Sequence, residues 1–200
     1  MKMPFLRVLP TLLLSLSIVL AMAPATLAAT APAFKAGAFE PPRQAPEFTL
    51  RGSDGSELTL ARYRGKVVLL QFGFTHCPAV CPATLATLAE SRKALGPAAD
   101  SLQVVFVTVD PERDPPPRLK TYLAAFDASF VGGTDKPEVL AAMRKSYGVV
   151  AEKVPAGDSY GMNHTSSVFL IDREGKLRGM MPYGRSARDF VHDVQLLLAK

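Results

Sequence analysis

The run Val67-Val-Leu-Leu-Gln-Phe-Gly-Phe74 constrains this chain more than any other stretch. It is nearly all apolar, rich in β-branched and aromatic residues, and lacks the polar alternation of a half-wet strand. A strand buried on both faces is the reading that fits, and such strands belong to parallel sheets covered by helices. A parallel neighbour needs a crossover, normally a helix. Pro82 to Leu95 supplies one, with Leu85, Leu88, Ala89 and Leu95 near helical spacing and a proline tolerated in the first turn. Leu102 to Val109 is the second buried strand.

The rest of the chain is built around that βαβ unit. Upstream, Phe48-Thr-Leu and Glu57-Leu-Thr-Leu60 flank the turn cluster Gly52-Ser-Asp-Gly55 and predict a hairpin. Downstream, Pro117–Phe126 and Lys136–Tyr147 read as helices, with Phe130-Val131 a short strand between them. Thr165–Asp172 and Lys176–Met181 form a second hairpin around Arg173-Glu-Gly175, and Ser186–Leu198 closes the chain as a helix. The class is α/β: a thioredoxin-like fold with an N-terminal β-hairpin and an insertion before the C-terminal β-β-α unit.

The N-terminus bears on the compartment. Lys2 and Arg7 precede a long uncharged apolar run, and Ala23-Pro-Ala-Thr-Leu-Ala-Ala29 offers small residues for cleavage. Residues 1–29 are therefore expected to be a signal peptide, or else an uncleaved N-terminal membrane anchor, since Val8–Ala25 carries no charge. Either places the remainder in the periplasm or on the extracytoplasmic face of the inner membrane. Residues 30–46, rich in alanine and proline, read as a tether, and residues 47–200 as the folded domain. The net charge of +5 drops to +3 once Lys2 and Arg7 are set aside. No basic run with interleaved aromatics remains, so nucleic acid is not an expected partner.

The chemistry sits in Phe72-Gly-Phe-Thr-His-Cys-Pro-Ala-Val-Cys-Pro82, where the first buried strand runs into its helix. That carboxyl edge is where α/β sheets carry their sites. The chain's two cysteines, Cys77 and Cys81, are four residues apart. On one helical turn that spacing brings both sulfurs within reach of one metal ion or of each other. A helix N-terminus is expected to favour their thiolates. A stapling disulfide across so short a loop would constrain the unfolded chain little. Dithiol exchange and soft-metal binding remain.

A third group separates them. His192 lies within the last helix and reads as a packing or surface residue, while His76 adjoins Cys77 and reads as a supporting residue. His164 stands in Gly161-Met-Asn-His-Thr165, just before the strand Ser166–Asp172, in a loop that faces the cysteine turn in a thioredoxin-like sheet. No proline occurs between Pro155 and Pro182, where thioredoxin-like oxidoreductases carry one opposite the cysteines. Two thiolates and an imidazole suit copper, as Cu(I) or Cu(II). Zinc would need a fourth ligand from His76, Asp110 or water.

Gly73-Phe-Thr-His-Cys-Pro-x-x-Cys-Pro82, Val109-Asp-Pro-Glu-Arg-Asp114 and Asn163-His-Thr165 with Phe169-Leu-Ile-Asp resemble the Sco/SenC copper chaperones over residues 40–198. The resemblance implies copper held by Cys77, Cys81 and His164. It further implies delivery to the binuclear copper centre of cytochrome c oxidase subunit II, or to another copper-site acceptor, by a protein that is often tethered to the membrane. By the same analogy Asp110 is expected to dock a partner or support the site; as a bare residue it is a strand-end turn before Pro111. Ala79 and Asn163 depart from the family's usual acidic residues. The expected role is that of a carrier rather than a catalyst. The alternative is a periplasmic thiol-disulfide oxidoreductase that keeps an acceptor's cysteines reduced.

Overall fold

A computed structural model describes residues 33–199, so the expected export segment, residues 1–29, lies outside the described residues. The strands are β1 (Gly37–Gln44), β2 (Thr49–Gly52), β3 (Glu57–Thr59), β4 (Val67–Gly73), β5 (Leu102–Thr108), β6 (Val131–Thr134), β7 (Ala151–Ala156), β8 (Ser159–His164), β9 (Val168–Ile171) and β10 (Lys176–Met181). The helices are α1 (Val80–Leu95), α2 (Pro116–Ala124), α3 (Pro137–Tyr147) and α4 (Ala187–Leu198). Eight strands form one sheet in the order β1-β10-β9-β4-β5-β6-β2-β3, and β7 pairs only with β8.

The two apolar runs pair as expected. β4 lies parallel to β5 in unbroken register from Val67↔Leu102 to Gly73↔Thr108, and every residue of both strands is buried. β9 flanks β4 antiparallel, with Leu70 opposite Phe169. Period-two alternation then sorts the side chains. Gln71, Gly73 and Phe106 share one face, on which Cys81 of α1 lies over Gly73 and Leu119 and Leu123 of α2 lie over Gly132. α4 packs beside α1, with the Ser91 hydroxyl donating to the Ala187 carbonyl. Phe72 and Phe169 occupy the other face and meet Tyr147 of α3 at ring separations of 5.7 and 5.4 Å. Helices on both faces are what two strands without a polar side require.

Local chemistry fixes the ends of the helices. α4 starts at a capping box in which Ser186 and Asp189 exchange side-chain and backbone hydrogen bonds. α3 stops at Gly148, whose φ of 70° is open to glycine at little cost and whose amide closes onto the carbonyls of the last turn.

Three expectations need correction. Residues 37–44, read as part of a tether, form edge strand β1 against β10. Their polar, proline-bearing sequence carries no burial signal because an edge strand is set by its partner's free backbone groups. The helix expected from Pro82 begins at Val80, since a proline is tolerated inside the first turn. The β7–β8 hairpin is additional to the expected elements; its residues are exposed or half-buried and too polar to declare a strand. Among the described residues no helix is long and apolar enough to cross a membrane.

Candidate metal centre

Cys77 and Cys81 do not share a helical turn. Cys77 sits in the tight loop after β4, its amide donating to the Phe74 carbonyl at 3.3 Å, and only Cys81 belongs to α1. The residue at the helix cap, Ala79, has no side-chain acceptor, and the Cys77 sulfur takes that role by accepting the Cys81 amide at 3.4 Å. Both cysteines are free thiols; Cys81 is fully buried and Cys77 half-buried.

His164 reaches them from the far side. It ends β8, and its Nε2 lies 3.6 Å from the Cys81 Sγ. Its Nδ1 is 2.9 Å from the Thr165 carbonyl oxygen, which can only accept, so the proton belongs on Nδ1. Nε2 then offers a lone pair toward the sulfur, the arrangement a metal-binding imidazole needs. The ring stands edge-on to Phe74 at 5.8 Å. Burial pushes the imidazole below its ordinary pKa, a shift partly opposed by the Thr165 hydrogen bond, and so favours the neutral form.

The sulfur chemistry departs from expectation at Cys81. Burial pushes its thiol well above the ordinary range, outweighing the help of the Phe74 amide, and the neighbouring Cys77 adds to the rise. The helix N-terminus therefore does not yield a standing thiolate at Cys81. A buried thiol gives up its proton when a cation replaces it, which couples metal uptake to proton release. Among the described residues no three His, Cys, Asp or Glu side chains are already gathered as a finished cluster. The structure brings Cys81 and His164 together, with Cys77 alongside. Two sulfurs and an imidazole nitrogen remain a fitting donor set for a soft ion.

The other predicted residues sort differently. Asp110 is fully buried, paired with the Arg113 guanidinium and accepting the Tyr160 hydroxyl at 2.7 Å. It presents no surface in this structure and is joined through Tyr160 to the hairpin that carries His164. His76 is exposed, with its Nδ1 3.3 Å from the Thr75 hydroxyl and 3.9 Å from Asp114; among the described residues no hydrogen bond joins it to either sulfur. His192 Nδ1 lies 2.8 Å from the Asp193 carboxylate, and its side chain is half-buried.

Asp114 carries no signal of its own in the sequence. Fully buried, its carboxylate accepts the Thr75 amide at 3.0 Å and the hydroxyls of Thr75 and Thr108 at 2.6 Å, which pins the cysteine loop to the end of β5. Arg118 of α2 donates to the same Thr75 hydroxyl at 3.1 Å. Asp114 and Arg113 belong to the quoted Val109–Asp114 motif, but nothing in that motif tells which acid faces inward.

A dithiol at the mouth of a strand–helix turn, facing an imidazole from a neighbouring segment on an α/β sheet, defines a thioredoxin-like protein built for soft-metal or thiol chemistry. The SCO1/SenC family model matches residues 37–199, and the chain belongs to that family. Among curated relatives, the mitochondrial SCO2 homolog of Bos taurus is 32% identical over 157 residues, covering 76% of this chain and 59% of that protein. This chain spans less than two thirds of the length of several curated relatives it matches, from 43% to 65% of each. The structure of Bradyrhizobium japonicum ScoI with copper bound shares 36% identity at a TM-score of 0.72, covering 78% of this chain and 99% of that one. BsSco is described as having a disulfide switch and as one of the Sco family of cytochrome c oxidase assembly proteins. It is 27% identical at a TM-score of 0.62, covering 79% of this chain and 95% of that one.

Proposed function

We propose that this protein is an extracytoplasmic copper metallochaperone. In this reading it binds one copper ion through Cys77, Cys81 and His164 and delivers it to the binuclear copper centre of cytochrome c oxidase subunit II. The observation that carries the reading is the 3.6 Å approach of the Cys81 sulfur to a His164 nitrogen whose partner nitrogen is already committed. Copper in the ScoI structure supports the choice of ion, and the place of BsSco among cytochrome c oxidase assembly proteins supports the oxidase as the destination. Residues 1–29, as a signal or anchor, would put the domain on the side of the membrane where that acceptor lies.

The chemistry follows from the donors. Thiolates hold Cu(I) strongly and imidazole serves either oxidation state. Exchange with a disulfide of the acceptor would join the Cys77 and Cys81 sulfurs in a disulfide, pass their two electrons to the acceptor's sulfurs as a dithiol, and remove both thiolate ligands, so that the ion is released. While the pair stays reduced, handover to an acceptor's thiolates proceeds by ligand exchange, with the half-buried Cys77 as the accessible sulfur. Copper titration of the anaerobically reduced full chain is expected to show one equivalent, with thiolate-to-copper charge transfer in the Cu(II) form. Cys77→Ser, Cys81→Ser and His164→Ala should each lower affinity by at least about ten-fold, the order expected for losing one strong bond. Wild-type affinity in His164→Ala would refute the three-ligand site.

The second reading is thiol-disulfide exchange, favoured by the adjacency of Cys77 and Cys81 and by the disulfide switch described for BsSco. Turnover of a dithiol substrate by metal-free protein, unaffected by His164→Ala, would establish it instead.

A further inference from the structure

The β7–β8 hairpin has no hydrogen-bonded neighbour in the main sheet, yet it carries His164 at its last position. A two-stranded hairpin alone is marginal in water, so something outside its own ladder must hold it. The ladder runs from Ala156↔Ser159 at the turn to Ala151↔His164 at the base. At the base, the Thr165 amide donates to the Val150 carbonyl at 3.0 Å and the Val150 amide to the Thr165 hydroxyl at 3.2 Å.

Near the turn the attachment is made by side chains. Tyr160 and His164 share one face of β8, four residues and about 13 Å apart along the strand. The Tyr160 hydroxyl donates to the buried Asp110 carboxylate at 2.7 Å, with Glu112 Oε2 a longer alternative at 3.2 Å. The Arg113 guanidinium lies over the Tyr160 ring at 3.7 Å from its centroid and also reaches the face of Phe74 at 5.9 Å. Arg113 further pairs with Asp110 and donates to the Tyr160 carbonyl at 3.0 Å. One arginine thus grips the ring and backbone of the hairpin while anchored to a carboxylate in the body of the domain. Lys153 and Glu112 add an exposed pair beside it. Phe74, which touches both Arg113 and His164, connects this grip to the imidazole.

We propose that Tyr160 and Arg113 are positioning residues: together they clamp the β7–β8 hairpin so that His164 faces Cys81, and release of the clamp withdraws the imidazole while the cysteines stay in place. The hairpin is then the moving part of the site, and copper passes from a histidine-capped state to a dithiolate state more readily displaced by an acceptor. This inference rests on the copper reading for its consequence, but the clamp itself does not depend on the metal.

The test uses Tyr160→Phe, which keeps the ring and removes only the hydroxyl, and Arg113→Met, which removes the charge. In metal-free full chain, both are expected to accelerate backbone hydrogen exchange across residues 151–164 by about ten-fold, the order for one hydrogen bond to a charged group, while exchange in β4 and β5 is unchanged. In copper-loaded chain, release to an excess of chelator should quicken by a similar factor, with weaker nitrogen hyperfine coupling in the Cu(II) spin-resonance spectrum. In a His164→Ala background, adding Tyr160→Phe should change release no further, because the clamp acts through the imidazole. Unchanged exchange in both variants, or an equal quickening of release without His164, would overturn the proposal. If the wild-type chain takes up no copper, the copper reading fails while the exchange measurement still decides the clamp.

Discussion

Gly73 is the last residue of β4, and its missing side chain is where the Cys81 sulfur fits. A Cβ there would stand 2.6 and 2.8 Å from two ring atoms of Phe106 and 3.0 Å from the Cys81 Sγ. The ring is fully buried, so relieving the contact would require the core around it to shift. Gly73→Ala should therefore destabilise the domain by about 1–3 kcal/mol, as overpacking does, and displace the sulfur that meets His164. Urea unfolding measures the first effect and copper titration the second; wild-type values in both would show that the contact is not limiting. Three of the residues that matter here, Cys77, Cys81 and His164, could be picked out from residue type and spacing. Asp114 and Tyr160 could not, because a buried acid and an exposed one look alike until the chain has turned them inward or outward.

Among the elements, β1 shows how a weak sequence signal becomes a fixed strand. Its approach is held by Asp193 of α4, a fully buried carboxylate that accepts the Lys35 amide at 2.8 Å and the Ala36 amide at 2.8 Å. Arg185 adds a hydrogen bond to the Lys35 carbonyl at 2.6 Å. Asp193→Ala would leave two amides without acceptors and is expected to cost about 2–4 kcal/mol. Early hydrogen exchange in residues 37–44 should accompany that loss. A change below about 0.5 kcal/mol by urea unfolding would show that water replaces the carboxylate. The central elements were legible because β4, β5 and α1 announce their burial in composition. The edge strand β1 and the hairpin β7–β8 were not, because neighbours rather than their own apolar content decide them.

At the scale of the whole molecule, the buried phenols set a limit on alkaline stability. Burial pushes the hydroxyl of Tyr147 well above its ordinary 10.0, with the nearby Glu47 adding to the rise, and the group donates to the Pro46 carbonyl at 2.7 Å. Tyr63 and Tyr122 are raised by burial in the same direction. Below pH 10 both states keep these protons and stability is unaffected; above it the unfolded chain releases them and the folded chain does not. Stability should then fall by up to about 1.4 kcal/mol per pH unit for Tyr147 alone. Urea unfolding at pH 9 and 11 should be less pH-dependent in Tyr147→Phe. An identical slope would mean that the phenol ionises without unfolding.

Sequence by itself determined the α/β class, the two-faced burial of β4 and β5, the strand-to-helix placement of the cysteines and the family. These follow from apolar runs and short motifs, which act over a few residues. Tertiary structure alone decided which acid is buried, that burial raises the Cys81 thiol instead of lowering it, and that His164 arrives on a separate hairpin whose Tyr160 lies against Arg113. Those outcomes depend on desolvation and on contacts between residues 39 to 83 positions apart, and neither is written in local sequence.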